Sequence, residues 1–266
     1  CLGVQRTGSF LVVTLGVLLT IKFGIFITFV GLFLLVFPDL IISLFINNID
    51  ISKYSSNKVK WNLSYADQNK NIRNKLALIS FFKFTSSFTS NGLAIAIITP
   101  FLLSINTNFY SKEVIITIAG FIVGFRWIAD IFFGIIFGTI SDRFGRKVNI
   151  IVSSILMLLA IIFCISGVNF YLSIITLVLM FFFSVSLETS LDALLGEISP
   201  ENQKSSIVSR YSTWQDLGAA LGPIIGFLFA SNLGISFGYY ISIFMFLWCI
   251  ILFLMTFTNQ EKQNYL

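Results

Sequence analysis

Apolar residues in this chain fall into runs of about 20, and a helix of that length rises roughly 30 Å, the thickness of bilayer hydrocarbon. Residues 9–46 are nearly unbroken apolar sequence, interrupted by Lys22 and by Pro38-Asp39. A single helix there would reach roughly 55 Å. Two spans fit better, at about 6–22 and 24–46, turning near Lys22–Gly24. Six more are predicted at about 76–103, 114–138, 148–166, 170–193, 208–230 and 236–257. The expected fold class is therefore all-α: a polytopic membrane protein of about eight transmembrane helices. The order reads as two terminal spans (1–46), a polar linker (47–75), a six-helix unit (76–257) and a short tail (258–266).

The polar stretches set an orientation. Residues 47–75 hold Lys53, Lys58, Lys60, Lys70, Arg73 and Lys75. The loops 139–147 and 194–207 and the tail also carry bases, whereas 104–113, 167–169 and 231–235 carry Lys112 alone. By the positive-inside rule, the linker, the basic loops and the C-terminus are expected in the cytoplasm. The expected location is the plasma (inner) membrane, crossed several times.

Composition narrows the function classes. At 56% hydrophobic and 11% charged residues, with mean hydropathy +0.92, the chain does not read as a soluble domain. The net charge of +5 lies in short loops between spans, so the lipid bilayer, not nucleic acid, is the expected partner. There is no histidine, no metal-ligand spacing and no phosphate-binding G-x-x-x-x-G-K-[ST] loop. No metal, cofactor or catalytic residue is expected, and an enzyme is not. Cys164 and Cys249 sit inside apolar runs and Cys1 is terminal, so no disulfide framework is predicted. A chain starting at Cys1, with an apolar run almost at once, reads as part of a longer protein and not as a signal peptide.

Four of the six spans carry groups that are costly in hydrocarbon, and such groups face a bundle interior or a wet cavity. Lys83, Ser87 and Asn91 recur at four-residue spacing on the first of the six. The second has Arg126 and Asp130, the fourth Glu188 and Asp192, and the fifth Gln215 and Asp216. These are the candidate path-lining residues. The third and sixth spans carry no ionisable residue and can face lipid on every side. Each charge also has a structural reading. Arg126 and Asp130, four residues apart, either neutralise one another or meet a solute or proton. Glu188 and Asp192 are expected to clamp onto Arg143 and Arg146, and Lys83 to snorkel to the headgroups. Gly218, Gly222 and Gly226, with Pro223, form a smooth face for helix packing.

The most charged stretch within the apolar region is Gly138-Thr-Ile-Ser-Asp142-Arg143-Phe-Gly145-Arg146-Lys147, between the second and third of the six spans. Its spacing, G-x-x-x-D-R-x-G-R-K, resembles the signature loop of the major facilitator superfamily of secondary transporters. Gly218-Ala-Ala-Leu-Gly222-Pro223-Ile-Ile-Gly226 resembles a second motif of that superfamily, common in exporters. The resemblance implies two six-helix halves rocking around a central site, of which this chain holds the C-terminal half and the last two helices of the N-terminal half. It further implies alternating-access transport of a small solute, with or without a coupled proton or ion. It makes Gly138, Asp142, Arg143, Gly145, Arg146 and Lys147 a conformational switch, Asp142 resting on the start of the fifth span when the protein faces outward. A complete path then requires the missing N-terminal half. The alternative is a non-transporting membrane protein, either a partner subunit or a truncated remnant.

Overall fold

The computed structural model describes residues 70–106, 110–167 and 169–263, with 16, 19–20, 22–31 and 33–34 of the N-terminal region. Most of the two N-terminal spans, and the linker up to residue 69, lie outside the described residues. Within the described part of that region, α1 (Lys22–Gly31) is a short apolar helix. Thr20 Oγ1 donates to Thr28 Oγ1 at 3.1 Å, although residues eight apart on a straight helix lie roughly 12 Å from one another. Gly24 lies between them at φ +83, so no straight helix joins the two threonines.

All the remaining elements are helical, and no strand occurs among the described residues. They are α2 (Lys70–Ser87), a π-helical segment Phe88–Ala94, α3 (Ile95–Ile105), α4 (Lys112–Phe144), α5 (Arg146–Ile165), α6 (Phe170–Ile198), a 3₁₀ turn Glu201–Gln203, α7 (Lys204–Leu233) and α8 (Phe237–Gln263). Five helical stretches are long and apolar enough to cross a membrane: Ile72–Ile105, Lys112–Phe144, Arg146–Ile165, Phe170–Ile198 and Phe237–Phe257. The chain is an all-α polytopic membrane protein.

Several helices run well past the predicted spans: α4 continues to Phe144 and α6 to Ile198. Hydrophobic pattern marks only the stretch matched to hydrocarbon, whereas backbone hydrogen bonding carries a helix on until a residue breaks it. Between α4 and α5 that residue is Gly145 alone, at φ +92 and ψ 129, a conformation close to glycine's own territory.

At the centre stands α6, which buries residues on nearly all sides from Ser173 to Leu195 and packs on α5, α4 and α2. Its first turn is capped by Asn169, whose side chain accepts from the Tyr171 backbone N–H at 3.1 Å. The expectation that the third and sixth spans face lipid on every side is corrected. Asn149 on α5 donates to Ser190 and Ser186 on α6, at 2.6 and 3.2 Å, and Ser153 meets Ser186 at 2.8 Å. Side-chain amides and hydroxyls in hydrocarbon seek one another, so α5 turns this polar edge inward. On α8 the residues Tyr239, Ser242, Phe246, Cys249, Phe253 and Phe257 are buried, a three-to-four-residue rhythm that marks one packed face.

Candidate functional site

Five ionisable side chains from three helices converge inside the bundle. Glu188 on α6 is the hub. It lies 3.2 Å from Lys83 Nζ and 3.5 Å from Arg126 Nη2, and accepts from Ser86 Oγ at 3.2 Å. Ser90 Oγ stands 3.4 Å from the same carboxylate oxygen. Lys83 also reaches Asp192 at 3.0 Å, and Arg126 reaches Asp130 at 3.3 Å. Lys83, Arg126, Asp130 and Glu188 are 2, 1, 7 and 6% exposed, whereas the Asp192 side chain is 48% exposed. The buried members balance, two cations against two anions, and Asp192 adds a third carboxylate at the edge. Ionised groups persist in such a place only when paired and hydrogen-bonded, as these are.

Aromatic rings complete the lining. Arg126 lies over Trp127 at 5.3 Å and near Phe181 at 6.0 Å, and Lys83 lies over Tyr211 at 5.5 Å. The Tyr211 hydroxyl donates to Asp192, which brings α7 into the cluster. Arg126 Nε is buried without a partner among the described residues. The cluster therefore keeps capacity for one more acceptor.

This geometry corrects two readings. Glu188 and Asp192 do not meet Arg143 and Arg146; their cations are Lys83 and Arg126. Lys83 does not snorkel outward, because its ammonium is enclosed by those carboxylates and the Tyr211 ring. The Arg126–Asp130 contact exists, but Arg126 divides itself between Asp130 and Glu188. Sequence order could not reveal the cross-helix choice. Ser86 and Ser90, four apart beside Lys83, were the one local hint of a polar pocket.

The polar stripe Lys83, Ser87, Asn91 is split by the π-helical segment. Ser87 Oγ donates to the Gln215 carbonyl at 2.7 Å, and Asn91 Nδ2 donates to Ser87 Oγ at 3.1 Å. Thr85, Thr89 and Ser90 bond back to carbonyls four residues earlier, competition that disturbs the helical ladder. A π segment is rare and collects at functional places. Here α7 lies almost backbone to backbone against it. A Cβ on Gly222 would fall 2.4 Å from Leu93 N and 2.6 Å from Gly92 Cα, and one on Gly218 would fall 2.4 Å from Phe84 O. On Gly226 it would meet the Leu93 and Ile97 side chains at 2.8 and 3.0 Å. Pro223 has no N–H to give to Ala219 O, and that carbonyl faces Gly92.

The remaining face of α7 lacks such cover. Asp216 is exposed there, with Ser209, Ser212 and Thr213, all within a third of a turn on a 100° helical wheel. Gln215 is half-buried at the border.

At the end of the bundle where α4 meets α5, the charged loop makes its own clamp. Arg146 Nε and Nη2 donate to Asp142 Oδ1, each at 3.2 Å, while Nη1 reaches the Ala193 carbonyl at 3.0 Å and Glu197 at 3.1 Å. A guanidinium beside the C-terminal turns of α6 also suits the negative end of that helix. In this structure Asp142 is tied to Arg146, not to α7. Arg143 and Lys147 are exposed, Gly138 is half-buried in α4, and Gly145 is the exposed hinge between α4 and α5.

No curated protein matches the chain. The family model of the Major Facilitator Superfamily matches residues 76–265, a stretch that holds the buried ion cluster, the glycine face of α7 and the charged loop. A bundle of apolar helices with ionic groups gathered inside it accords with that transporter family, and the chain belongs to the Major Facilitator Superfamily.

Proposed function

We propose that this chain forms the C-terminal half, with the last two helices of the N-terminal half, of a secondary transporter that moves a small solute by alternating access. The observation that carries the reading is Asp216. It is an exposed carboxylate midway along α7, beside the exposed Ser209, Ser212 and Thr213. An ionised side chain facing lipid costs at least about 2.5 kcal/mol. That face therefore borders water or other protein, as the wall of a path between two halves does. The ion cluster lies behind it, reached from the surface through half-exposed Asp192, where a solute or coupled proton would contact it. The glycine contacts let α7 sit close to the π segment, so a shift of α7 is felt at Lys83 and Glu188 through Tyr211 and Asp192. The linker, the Asp142–Lys147 loop and the C-terminus lie in the cytoplasm on this reading.

The test is solute uptake or efflux in cells carrying the complete gene, with Asp216→Asn beside the wild type. Cysteines at Ser212 and Thr213 should be labelled by water-soluble thiol reagents, and transported solute should slow that labelling. Cysteines unreactive at both positions, with transport unchanged in Asp216→Asn, would remove α7 from the path. A cysteine at Asn106 should label from outside intact cells and one at Lys58 should not; the reverse pattern overturns the orientation.

A further inference from the structure

Two hydrogen-bond donors beside the buried ion cluster have nothing to give to. Arg126 Nε and Trp127 Nε1, on consecutive residues of α4, are both shut off from the surface and lack a partner among the described residues. Arg126 is 1% exposed, and its guanidinium lies over the Trp127 indole at 5.3 Å. Unpaired buried N–H groups are rare and costly, so two neighbouring ones point to a missing acceptor. The contacts around them are slack. Arg126 stands 3.3 Å from Asp130 and 3.5 Å from Glu188, longer than the roughly 2.7–2.9 Å of a tight charge-assisted bond. A network drawn so loosely can take in another polar group. Charge decides which kind. The cluster holds three carboxylates (Asp130, Glu188, Asp192) against two bases (Lys83, Arg126). A further anion would add uncompensated charge inside the bundle, which is strongly unfavourable. An uncharged acceptor oxygen satisfies the donors and leaves the charge count as it is. The Trp127 ring, and Phe181 at 6.0 Å from the guanidinium, supply apolar walls for the rest of such a molecule.

We propose that Arg126 Nε and Trp127 Nε1 bind acceptor oxygen of an uncharged, largely apolar solute, such as a ketone, ester or amide, and select against carboxylates. The inference rests on the reading of this bundle as one half of a transporter and names the class of its solute. Arg126 and Trp127 are then specificity-determining residues. A solute without an acceptor strands both donors, and an anionic one adds charge.

The experiment uses the complete protein in nanodiscs and three aromatic probes of similar shape: acetophenone with a neutral carbonyl, benzoate with an anionic carboxylate, and cumene with no acceptor. The nitrogen–proton signal of the Trp127 indole, assigned by its loss in Trp127→Phe, is followed by NMR on titration. Acetophenone should move it saturably, with benzoate and cumene weaker by about tenfold or more, the worth of one hydrogen bond to a charged group. The indoles of Trp214 and Trp248, exposed on the outside of the bundle, report partition of the probes into lipid. Arg126→Lys keeps a positive charge beside Asp130 and Glu188 but removes Nε, and should weaken acetophenone about tenfold. If that variant does not fold, Trp127→Phe, read by saturation transfer to the probe, should show the same loss. An equal response to benzoate or cumene overturns the solute class. Acetophenone binding unchanged in the variants, or no probe moving the Trp127 signal, overturns the site, its donors then being met by water or by the rest of the protein. Solute-dependent labelling of the α7 cysteines is independent of these results, so a failure here is distinct from a failure of the transporter reading.

Discussion

Lys83 on α2 and Glu188 on α6, 105 residues apart in sequence, lie 3.2 Å apart with both side chains buried. That contact, shared on one side with Asp192 and on the other with Arg126, joins α2, α4 and α6 through charge.

Removing the lysine leaves the buried Glu188 with Arg126 as its remaining cation and takes Asp192's lysine partner from it. Lys83→Met should cost about 3–5 kcal/mol, the range for a broken buried pair. Lys83→Met with Glu188→Gln should recover part of that loss, because fewer uncompensated charges remain. Thermal unfolding in detergent decides it; a double variant no more stable than the single would show that the pair is not mutually neutralising.

Arg126 has two carboxylate partners, so its two acids are unequal in weight. Glu188→Gln removes a charge partner from both Lys83 and Arg126, whereas Asp130→Asn leaves Arg126 its contact with Glu188. The Glu188 variant should be the less stable by about 1–3 kcal/mol, the cost of stranding a buried polar group. Equal stability of the two variants would give the two acids equal weight, and a less stable Asp130 variant would assign the main neutralising role to Asp130.

Gly222 and Gly196 separate packing from propensity. A methyl at Gly222 would strike the backbone of Gly92 and Leu93, whereas one at Gly196 meets nothing within 4 Å. Gly222→Ala should destabilise by about 1–3 kcal/mol through overpacking, and Gly196→Ala should stabilise by up to about 1 kcal/mol through helix propensity. Gly222→Ala as stable as wild type would mean that α7 can move off the π segment at no cost.

The loop between α4 and α5 has a strain position and a charge position. Gly145→Ala forces a side chain into positive φ and should cost about 1–3 kcal/mol. Asp142→Asn breaks only a partly exposed pair, worth about 0–1 kcal/mol, so any marked effect is conformational. A cysteine at Ser212 should label faster in the Asp142→Asn background if the loop controls α7. Identical rates would leave the loop as an orientation signal and a clamp on α6.

The amino-acid sequence by itself determined the class of the molecule and most of its helices. Apolar runs of bilayer length leave the backbone no option but internal hydrogen bonding, and that constraint acts locally. The G-x-x-x-D-R-x-G-R-K spacing likewise carried the family, since it needs only a short turn between two spans. Where each charge goes was decided by tertiary structure. Lys83, near one end of its predicted span, could as well have reached the headgroups; it is enclosed because α6 places Glu188 and Asp192 opposite it. Arg126 and Asp130 were legible as neighbours on one helix, but the share of Arg126 taken by Glu188 depends on how α4 and α6 cross. The π segment also escaped a reading by period, because its register is set by α7 pressing Gly218 and Gly222 against it. Periodicity reports which residues avoid water or lipid; which buried partner each one finds depends on the angles and spacing between helices.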